Sequence, residues 1–457
     1  MANPRDKETI VAIATPPGRG SVGIVRISGT KAKSIGKDVL KRELKPKLAH
    51  YGLFFDESGK TIDKGLALFF PGPGSFTGEN VLELHGHGNP IILDAILKRC
   101  LQLGARQARA GEFSERAFLN GKIDLAQAEA TADLINSASE QATKAAIASL
   151  QGEFSRQIEK TVGALILART LVEAAIDFSE EEVGSFEEKK VSSILEESIG
   201  AINKVFAAAK QGALLREGMT VVIAGKPNAG KSSLLNCLSG QDSAIVTEVA
   251  GTTRDVLREK ILVGGAPLHV VDTAGLQESK NVVEQEGVRR AKEEIKKADL
   301  LLLVIDSAET KEASPEKLLP EFFKKAKRGS KTFAIIMNKI DISGESARKE
   351  ICGEADVVYL SAKTKEGVPL LRGHLKQMMG ISENGGDVFV ARRRHLVALG
   401  KAQEALALAK KQLKEGSPKE LLAEELRCAQ KELEEITGKF TTEELLAEIF
   451  SSFCVGK

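Results

Sequence analysis

The texture of hydrophobic and polar positions changes three times along the chain. Up to about residue 118, short apolar runs of β-type composition (Ile10–Ile13, Val22–Ile27, Leu66–Phe70) are broken by Pro16-Pro17-Gly18 and Pro71-Gly72-Pro73-Gly74. A run at helical spacing covers Ile91–Leu103, so this part reads as an α+β domain. From about Asn120 to Ala213 the chain is rich in Ala, Leu, Glu and Lys, contains no Pro and keeps helical spacing throughout. The same texture returns in His395–Leu413 and Lys419–Ile436. Between the two stretches, from Glu217 to about Gly380, apolar strands alternate with helices in the βαβ manner. The expected architecture is therefore multidomain: an α+β N-terminal domain, an all-α helical domain and an inserted α/β domain. The expected boundaries are 1–118, 119–214, 215–380 and 381–457, with the second and fourth segments forming one split helical domain. Two independent helical domains are the alternative.

Composition changes this picture little. At 457 residues, two or three domains are expected, and 42% hydrophobic with 28% charged residues is ordinary for a globular chain. The formal net charge of +2 announces no nucleic-acid partner by itself, though net charge hides local asymmetry. With no Trp and two Tyr, an extended aromatic stacking platform is not expected. The longest apolar run, Ala298–Asp306, is far short of the ~20 residues of a membrane span. No secretory pattern opens the chain, and the five scattered cysteines (Cys100, Cys237, Cys352, Cys428, Cys454) suggest neither a disulfide framework nor a zinc site. A cytoplasmic protein with no membrane association is expected.

Candidate chemistry changes it a great deal. The apolar strand Met219–Ala224 runs into Gly225-Lys226-Pro227-Asn228-Ala229-Gly230-Lys231-Ser232, followed by the helical run Ser233–Leu238. Strand, G-x-x-x-x-G-K-[ST] and helix together make a P-loop: its N–H groups and helix dipole cradle phosphates, Lys231 reaches the β/γ-phosphates and Ser232 ligates Mg²⁺. Further short motifs follow in order. Gly251-Thr252-Thr253-Arg254-Asp255 offers the Thr253 hydroxyl to Mg²⁺ and the γ-phosphate. Strand Leu268–Val271 ends in Asp272-Thr273-Ala274-Gly275, where Asp272 suits the Mg²⁺ shell and the Gly275 N–H the γ-phosphate. Strand Leu300–Ile305 follows, and strand Thr332–Met337 then ends in Asn338-Lys339-Ile340-Asp341. A carboxylate placed like Asp341 accepts both N–H donors of a guanine edge, which adenine lacks. Strand Val357–Leu360 ends in Ser361-Ala362-Lys363, placed to close over the base. These motifs stand at strand ends, where α/β sheets bind ligands, and together imply GTP binding and hydrolysis.

The set resembles the translation-factor-related GTPases, with one departure from the Ras-type pattern. The residue after the D-x-x-G glycine is Leu276 instead of a water-orienting Gln. Gln277, Glu278, Glu284 and Glu286 are the candidates for that role, and all four also suit a solvated loop and helix start. The Asn228 side-chain oxygen can serve a monovalent cation, or the residue can be there for its backbone.

The flanking segments carry a more specific resemblance. Ala14-Thr15-Pro16-Pro17-Gly18-Arg19-Gly20, Val22 to Gly29, Ser75-Phe76-Thr77-Gly78-Glu79-Asn80, Glu83 to Gly88, Ala110 to Lys122 and the terminal Phe453-Cys454-Val455-Gly456-Lys457 resemble the MnmE (TrmE) family of tRNA-modification GTPases over the whole chain. The resemblance implies an enzyme that works with a flavin-dependent partner, MnmG, in a heterotetramer. Together they install an aminomethyl or carboxymethylaminomethyl group at C5 of the wobble uridine of tRNA. It implies a 5-formyl- or 5,10-methylene-tetrahydrofolate donor bound by Arg26, Glu83, Lys122 and Lys457, and a homodimer formed through the N-terminal domain. The nucleotide contacts it implies are residues 228–233 (Asn228, Ala229, Gly230, Lys231, Ser232, Ser233), 247–253 (Thr247, Glu248, Val249, Ala250, Gly251, Thr252, Thr253), Asp272, Thr273, Ala274, Gly275, Asn338, Lys339, Asp341, Ser361, Ala362 and Lys363. It further implies K⁺-dependent dimerisation of the GTPase domains, with K⁺ held by Asn228, Thr247, Val249 and Thr252, and Glu284 positioning water.

The resemblance puts the Cys454 thiol near the folate, where it suits a nucleophile or acid/base in one-carbon transfer. An inert thiol in a tail is the other reading. His85 and His87 flank Gly86 without a third ligand nearby, so a loop role is expected instead of a metal site. Arg392-Arg393-Arg394-His395 opens a helix and suits either tRNA phosphates or solvent. The competing class is a GTPase assembly factor that binds ribosomal RNA, from which folate binding separates the leading reading. A third reading makes the flanking domains a dimerisation scaffold, with the chemistry on a partner.

Overall fold

The computed structural model describes residues 8–177, 188–239, 258–263, 266–272, 298–310, 332–353, 355–379 and 389–456. The N-terminal part runs β1 (Ile10–Ile13), β2 (Gly20–Ser28), α1 (Ala32–Leu40), β3 (His50–Phe55), β4 (Thr61–Phe70), β5 (Val81–Gly88), α2 (Pro90–Gln102), β6 (Arg106–Gln107) and α3 (Glu112–Leu119). Four helices follow: α4 (Leu125–Asn136), α5 (Glu140–Leu150), α6 (Glu153–Asp177) and α7 (Glu188–Glu217). The α/β segment is β7 (Met219–Ala224), α8 (Lys231–Ser239), β8 (Arg258–Val263), β9 (Ala266–Asp272), β10 (Leu300–Asp306), β11 (Thr332–Asn338), α9 (Ile340–Ser343), β12 (Arg348–Cys352), β13 (Ala355–Tyr359) and α10 (Val368–Met378). Helices α11 (Arg393–Glu415), α12 (Lys419–Thr437) and α13 (Glu443–Ser451) close the chain.

The chain forms two compact units, each assembled from separate stretches. One takes residues 1–132, 150–199 and 401–457; the other takes 133–149 and 200–400. In the first, a six-stranded sheet has the order β3-β4-β5-β2-β1-β6. Its pairs are antiparallel except for β1 with β6. Alternation places Val25 and Ile27 of β2, Ala67 and Phe69 of β4 and Leu82 and Leu84 of β5 in one core, which α1 and α2 cover with Ile35, Val39, Leu93 and Ile96. The opposite alternation puts Arg26 directly across from Glu83. In the same unit α6 packs along α12. Leu422, Leu426, Ala429, Leu433 and Ile436 form a buried stripe on α12 at steps of three and four. Arg169 Nη1 donates to Gln430 Oε1 across the pair at 2.7 Å. The end of the chain docks through Ile449, Phe450 and Phe453 onto Leu125 and Ala128.

The second unit holds a seven-stranded sheet, order β12-β13-β11-β10-β7-β9-β8. The inner strands β13, β11, β10, β7 and β9 are parallel, and β12 and β8 are antiparallel edges. Strands β7 and β11 are buried nearly end to end, which is why they read as continuous apolar runs without alternation. Ala145 and Ala146 of α5 and Leu215 of α7 belong to the same core as Val221, Ile223 and Leu302. No described helix is long and apolar enough to cross a membrane.

Candidate functional site

The second unit gathers its motifs at the carboxyl ends of the parallel strands. Residues 225–230 turn from β7 into α8, with Ser232 and Ser233 exposed in its first turn. The Lys231 ammonium bends back over this turn and donates to the carbonyls of Gly225 and Lys226, both at 3.0 Å. Asn338, at the end of β11 and 2% exposed, ties three loops together. Its Nδ2 donates to the Ala229 carbonyl at 2.8 Å, and its Oδ1 accepts the Ala362 N–H at 2.9 Å. Its main-chain carbonyl accepts from the Ser307 N–H and hydroxyl at 2.9 and 2.7 Å. Gly230 permits the approach, because a β-carbon there would stand 2.2 Å from Asn338 Nδ2. Lys339 takes a left-handed backbone (φ 68°) and places its ammonium 2.6 Å from Asp306 Oδ2 at the end of β10. Burial raises the Asp306 pKa, but Lys339 and the Ala308 N–H together hold the carboxyl below its usual range. Asp341 and Lys363 are exposed, while Ser361 and Ala362 are buried. Asn228 is exposed and left-handed, at φ 63°.

The first unit gathers a second cluster on the sheet face away from α1 and α2. Arg26 Nε donates to Glu83 Oε1 at 2.9 Å, while Glu83 Oε2 meets His85 Nε2 at 3.0 Å. The His85 hydrogen bond, opposed by burial and helped by the Arg26 charge, keeps the Glu83 carboxyl below the usual range and therefore ionised. Arg26 also lies 5.8 Å from the Phe76 ring centre and 5.9 Å from that of Phe113, and Nη1 donates to the Gly456 carbonyl at 3.4 Å. The C-terminal tail is held there by its backbone. Val455 bridges Ala110, the Gly111 N–H donates to the Cys454 carbonyl at 3.4 Å, and the Cys454 thiol is left exposed. Lys122 Nζ donates to Pro73 O at 3.0 Å and Asn120 Nδ2 to Thr77 O at 2.7 Å, which binds the turn carrying Phe76.

The first unit matches a family described as "GTP-binding protein TrmE N-terminus" over residues 9–122. A second match, described as "MnmE helical domain", spans residues 125–454. A protein of Pseudomonas paraeruginosa named "tRNA modification GTPase MnmE" is 56% identical over 451 residues, 98% of this chain and 99% of that protein. The chain belongs to the MnmE family. A relative of the same name from Chromohalobacter salexigens is 54% identical, across 99% of this chain and 98% of its own. The fold class follows: an N-terminal TrmE domain, a helical domain and a P-loop α/β segment enclosed by the helical match.

Of the residues singled out in the sequence, Asn228 to Ser233, Asn338 to Asp341 and Ser361 to Lys363 stand around one set of strand ends. Arg26, Glu83 and the tail stand around another. Thr247 to Thr253, Thr273 to Gly275, Leu276, Gln277, Glu278, Glu284, Glu286 and Lys457 lie outside the described residues, as does the side chain of Asp272 at the end of β9. Two expectations are corrected. His85 and His87 lie on strand β5, not in a loop, and their partners are Glu83 and Asp63. The segment 392–395 is not a uniformly solvated basic start: Arg392 binds Asp133 and His395 is 2% exposed. Asp306, Ser307 and His85 were missed as partners of site residues. The first two were findable, since they end and follow a parallel strand as the other motifs do.

Proposed function

We propose that this chain is a GTP-hydrolysing enzyme of tRNA modification. In this reading it works with an FAD-dependent, MnmG-type partner to place an aminomethyl or carboxymethylaminomethyl group on C5 of the wobble uridine. The observation that carries the nucleotide half is the Asn338 clip, which binds the phosphate-loop carbonyl of Ala229 and the Ala362 N–H into one frame at the strand ends. Within it Lys231 and Ser232 face phosphate and Mg²⁺, and Asp341 reads guanine. Thr253 and Asp272 complete the Mg²⁺ shell. Asn228, Thr247, Val249 and Thr252 hold K⁺, and Glu284 orients the attacking water.

The chemical half rests on family membership and on the Arg26–Glu83–His85 cluster. An ionised carboxylate beside a guanidinium and two aromatic rings fits a folate, with Glu83 accepting pterin N–H donors. Arg26, Lys122 and Lys457 meet its carboxylates, and Cys454 lies beside it. A folate bound there supplies the one-carbon unit. The proposed domains are 1–118, a split helical domain of 119–214 and 381–457, and a GTPase insertion of 215–380. The protein works as a cytoplasmic homodimer.

One preparation tests both halves. Single-turnover GTP hydrolysis is expected to be faster in K⁺ than in Na⁺ and to be lost in Glu284→Ala. 5-Formyltetrahydrofolate is expected to bind wild type but not Arg26→Ala, whose hydrolysis is unchanged. Equal rates in the two salts, or an unimpaired Glu284→Ala, dismiss the cation-and-glutamate mechanism. Wild type that binds no folate dismisses the one-carbon role.

A further inference from the structure

We infer that the exposed face of α1, with the loop after it, is the surface that docks the sugar–phosphate backbone of tRNA. The inference rests on the tRNA-modification reading above. Residues 31–47 carry seven basic and two acidic side chains, whereas the whole chain nets only +2, so the rest of the molecule is net negative. Helix α1 buries Ala32, Ile35, Gly36, Val39 and Leu40 against its sheet. That leaves Lys33, Lys37 and Lys41 on the outside, one above the other at i, i+4 spacing, about 6 Å apart along the axis. Arg42, Lys45 and Lys47 continue the exposed row through the loop.

The arrangement costs stability. Like charges at i, i+4 disfavour a helix. Lys41 and Lys47 both adopt left-handed backbone at φ 56°, where Gly or Asn is at home and a lysine is strained. Among the described residues, Lys37 alone of the six meets a carboxylate within ion-pair distance, Glu43 at 2.6 Å. A row of ammonium groups held this way complements a row of phosphates.

The row also leads to the right place. Lys47 Nζ approaches Gly74, where an added β-carbon would lie 3.6 Å away. The same turn takes the Lys122 hydrogen bond at Pro73 and carries Phe76 beside Arg26. Because the apolar face of α1 is already buried in the sheet, the helix has none left to insert into a lipid surface. Lysines act as point charges, so the docking follows the backbone and not the sequence.

The test is binding of an unmodified tRNA transcript to the full-length protein over a salt series. It compares wild type, Lys33→Gln/Lys41→Gln/Lys45→Gln, and a charge-matched control, Lys204→Gln/Lys210→Gln/Lys414→Gln. The first triple variant is expected to lose about tenfold or more in affinity at low salt. Its slope of log K against log salt should be shallower by about 2 to 3, at roughly 0.7–0.9 per phosphate contact, with GTP hydrolysis unchanged. Affinity and slope equal to the control overturn the surface. So does a variant that keeps tRNA but loses the flavoprotein partner, which would make this a protein interface. Wild type with no tRNA affinity overturns the enzymatic reading itself, and the surface with it.

Discussion

Both polar atoms of the Asn338 carboxamide are committed inside the protein, Nδ2 donating to the phosphate loop and Oδ1 accepting from the loop after β13. A buried polar group left unpaired costs about 1–3 kcal/mol, so Asn338→Ala strands the Ala229 carbonyl and the Ala362 N–H together. Asn338→Asp separates the two roles. Its carboxylate still accepts from Ala362 but turns an acceptor toward the Ala229 carbonyl. Both variants are expected to bind GDP at least tenfold more weakly than wild type, with Asp the worse of the two for its size. Titration calorimetry checks this, and wild-type affinity in either variant would remove Asn338 from the site. Residues 225–232, 338–341 and 361–363 were legible because phosphate and base chemistry fix residue types at strand ends. Asp306 could be found as a strand-end residue, but its pairing with Lys339 was not legible. It depends on Lys339 turning left-handed and on β10 lying beside β11 with Asp306 opposite Asn338, and the local sequence states neither.

At the scale of elements, short apolar runs of β-type composition and Pro/Gly breaks located β1, β2 and β4, and continuous apolar runs located the inner strands of the second sheet. Strand β5 escaped because His85-Gly86-His87 reads as a loop. In the fold Gly86 is there for a close approach: a β-carbon would stand 2.5 Å from Asp63 Oδ2. The short helix α3 is fixed by charge. Glu112, 1% exposed, receives Arg106, Arg116 and the Arg109 N–H. Burial opposes ionisation, yet these donors pull its pKa from 4.5 down to about 2. A depressed carboxylate stabilises the fold above its unfolded pKa and loses that contribution as pH falls through the folded one. About 3 kcal/mol should therefore drain away between roughly pH 4.5 and 2. Urea midpoints measured against pH are expected to fall over that window in wild type. Glu112→Gln should start lower and show a flatter profile, meeting wild type near pH 2. Parallel profiles would show that the carboxylate is not the titrating group.

At the scale of the molecule, the helical family match runs from 125 to 454 and encloses the α/β segment, while each compact unit is built from stretches far apart in sequence. Composition could suggest an insertion, but could not say how its two ends are held. Within the second unit, both ends come to one carboxylate. Asp133 Oδ1 accepts from Arg216 Nε at 2.7 Å, just before β7, and from Arg392 Nη2 at 2.9 Å, just after the α/β segment. The segment leading to Arg392 is packed as well. Phe389 and Ala391 are fully buried, Ser149 Oγ donates to the Val390 carbonyl at 3.1 Å, and a β-carbon on Gly212 would stand 1.8 Å from the Phe389 carbonyl. Entry and exit therefore form one joint that shares Asp133, 8% exposed, while Arg216 also pairs with Glu217 at 3.0 Å. Removing one partner of a buried charge cluster costs about 3–5 kcal/mol, and somewhat less here because Arg216 keeps partial exposure. Asp133→Ala is expected to lower the denaturation midpoint and to speed amide exchange in the last turn of α7 and in 389–392. GTP affinity should stay within about twofold, since no nucleotide contact is touched. Asp133→Asn, which retains an acceptor but no charge, should fall between. Exchange that rises evenly over the whole second unit would mean Asp133 supports the core in general, whereas a rise confined to these two segments identifies it as the clasp of the insertion.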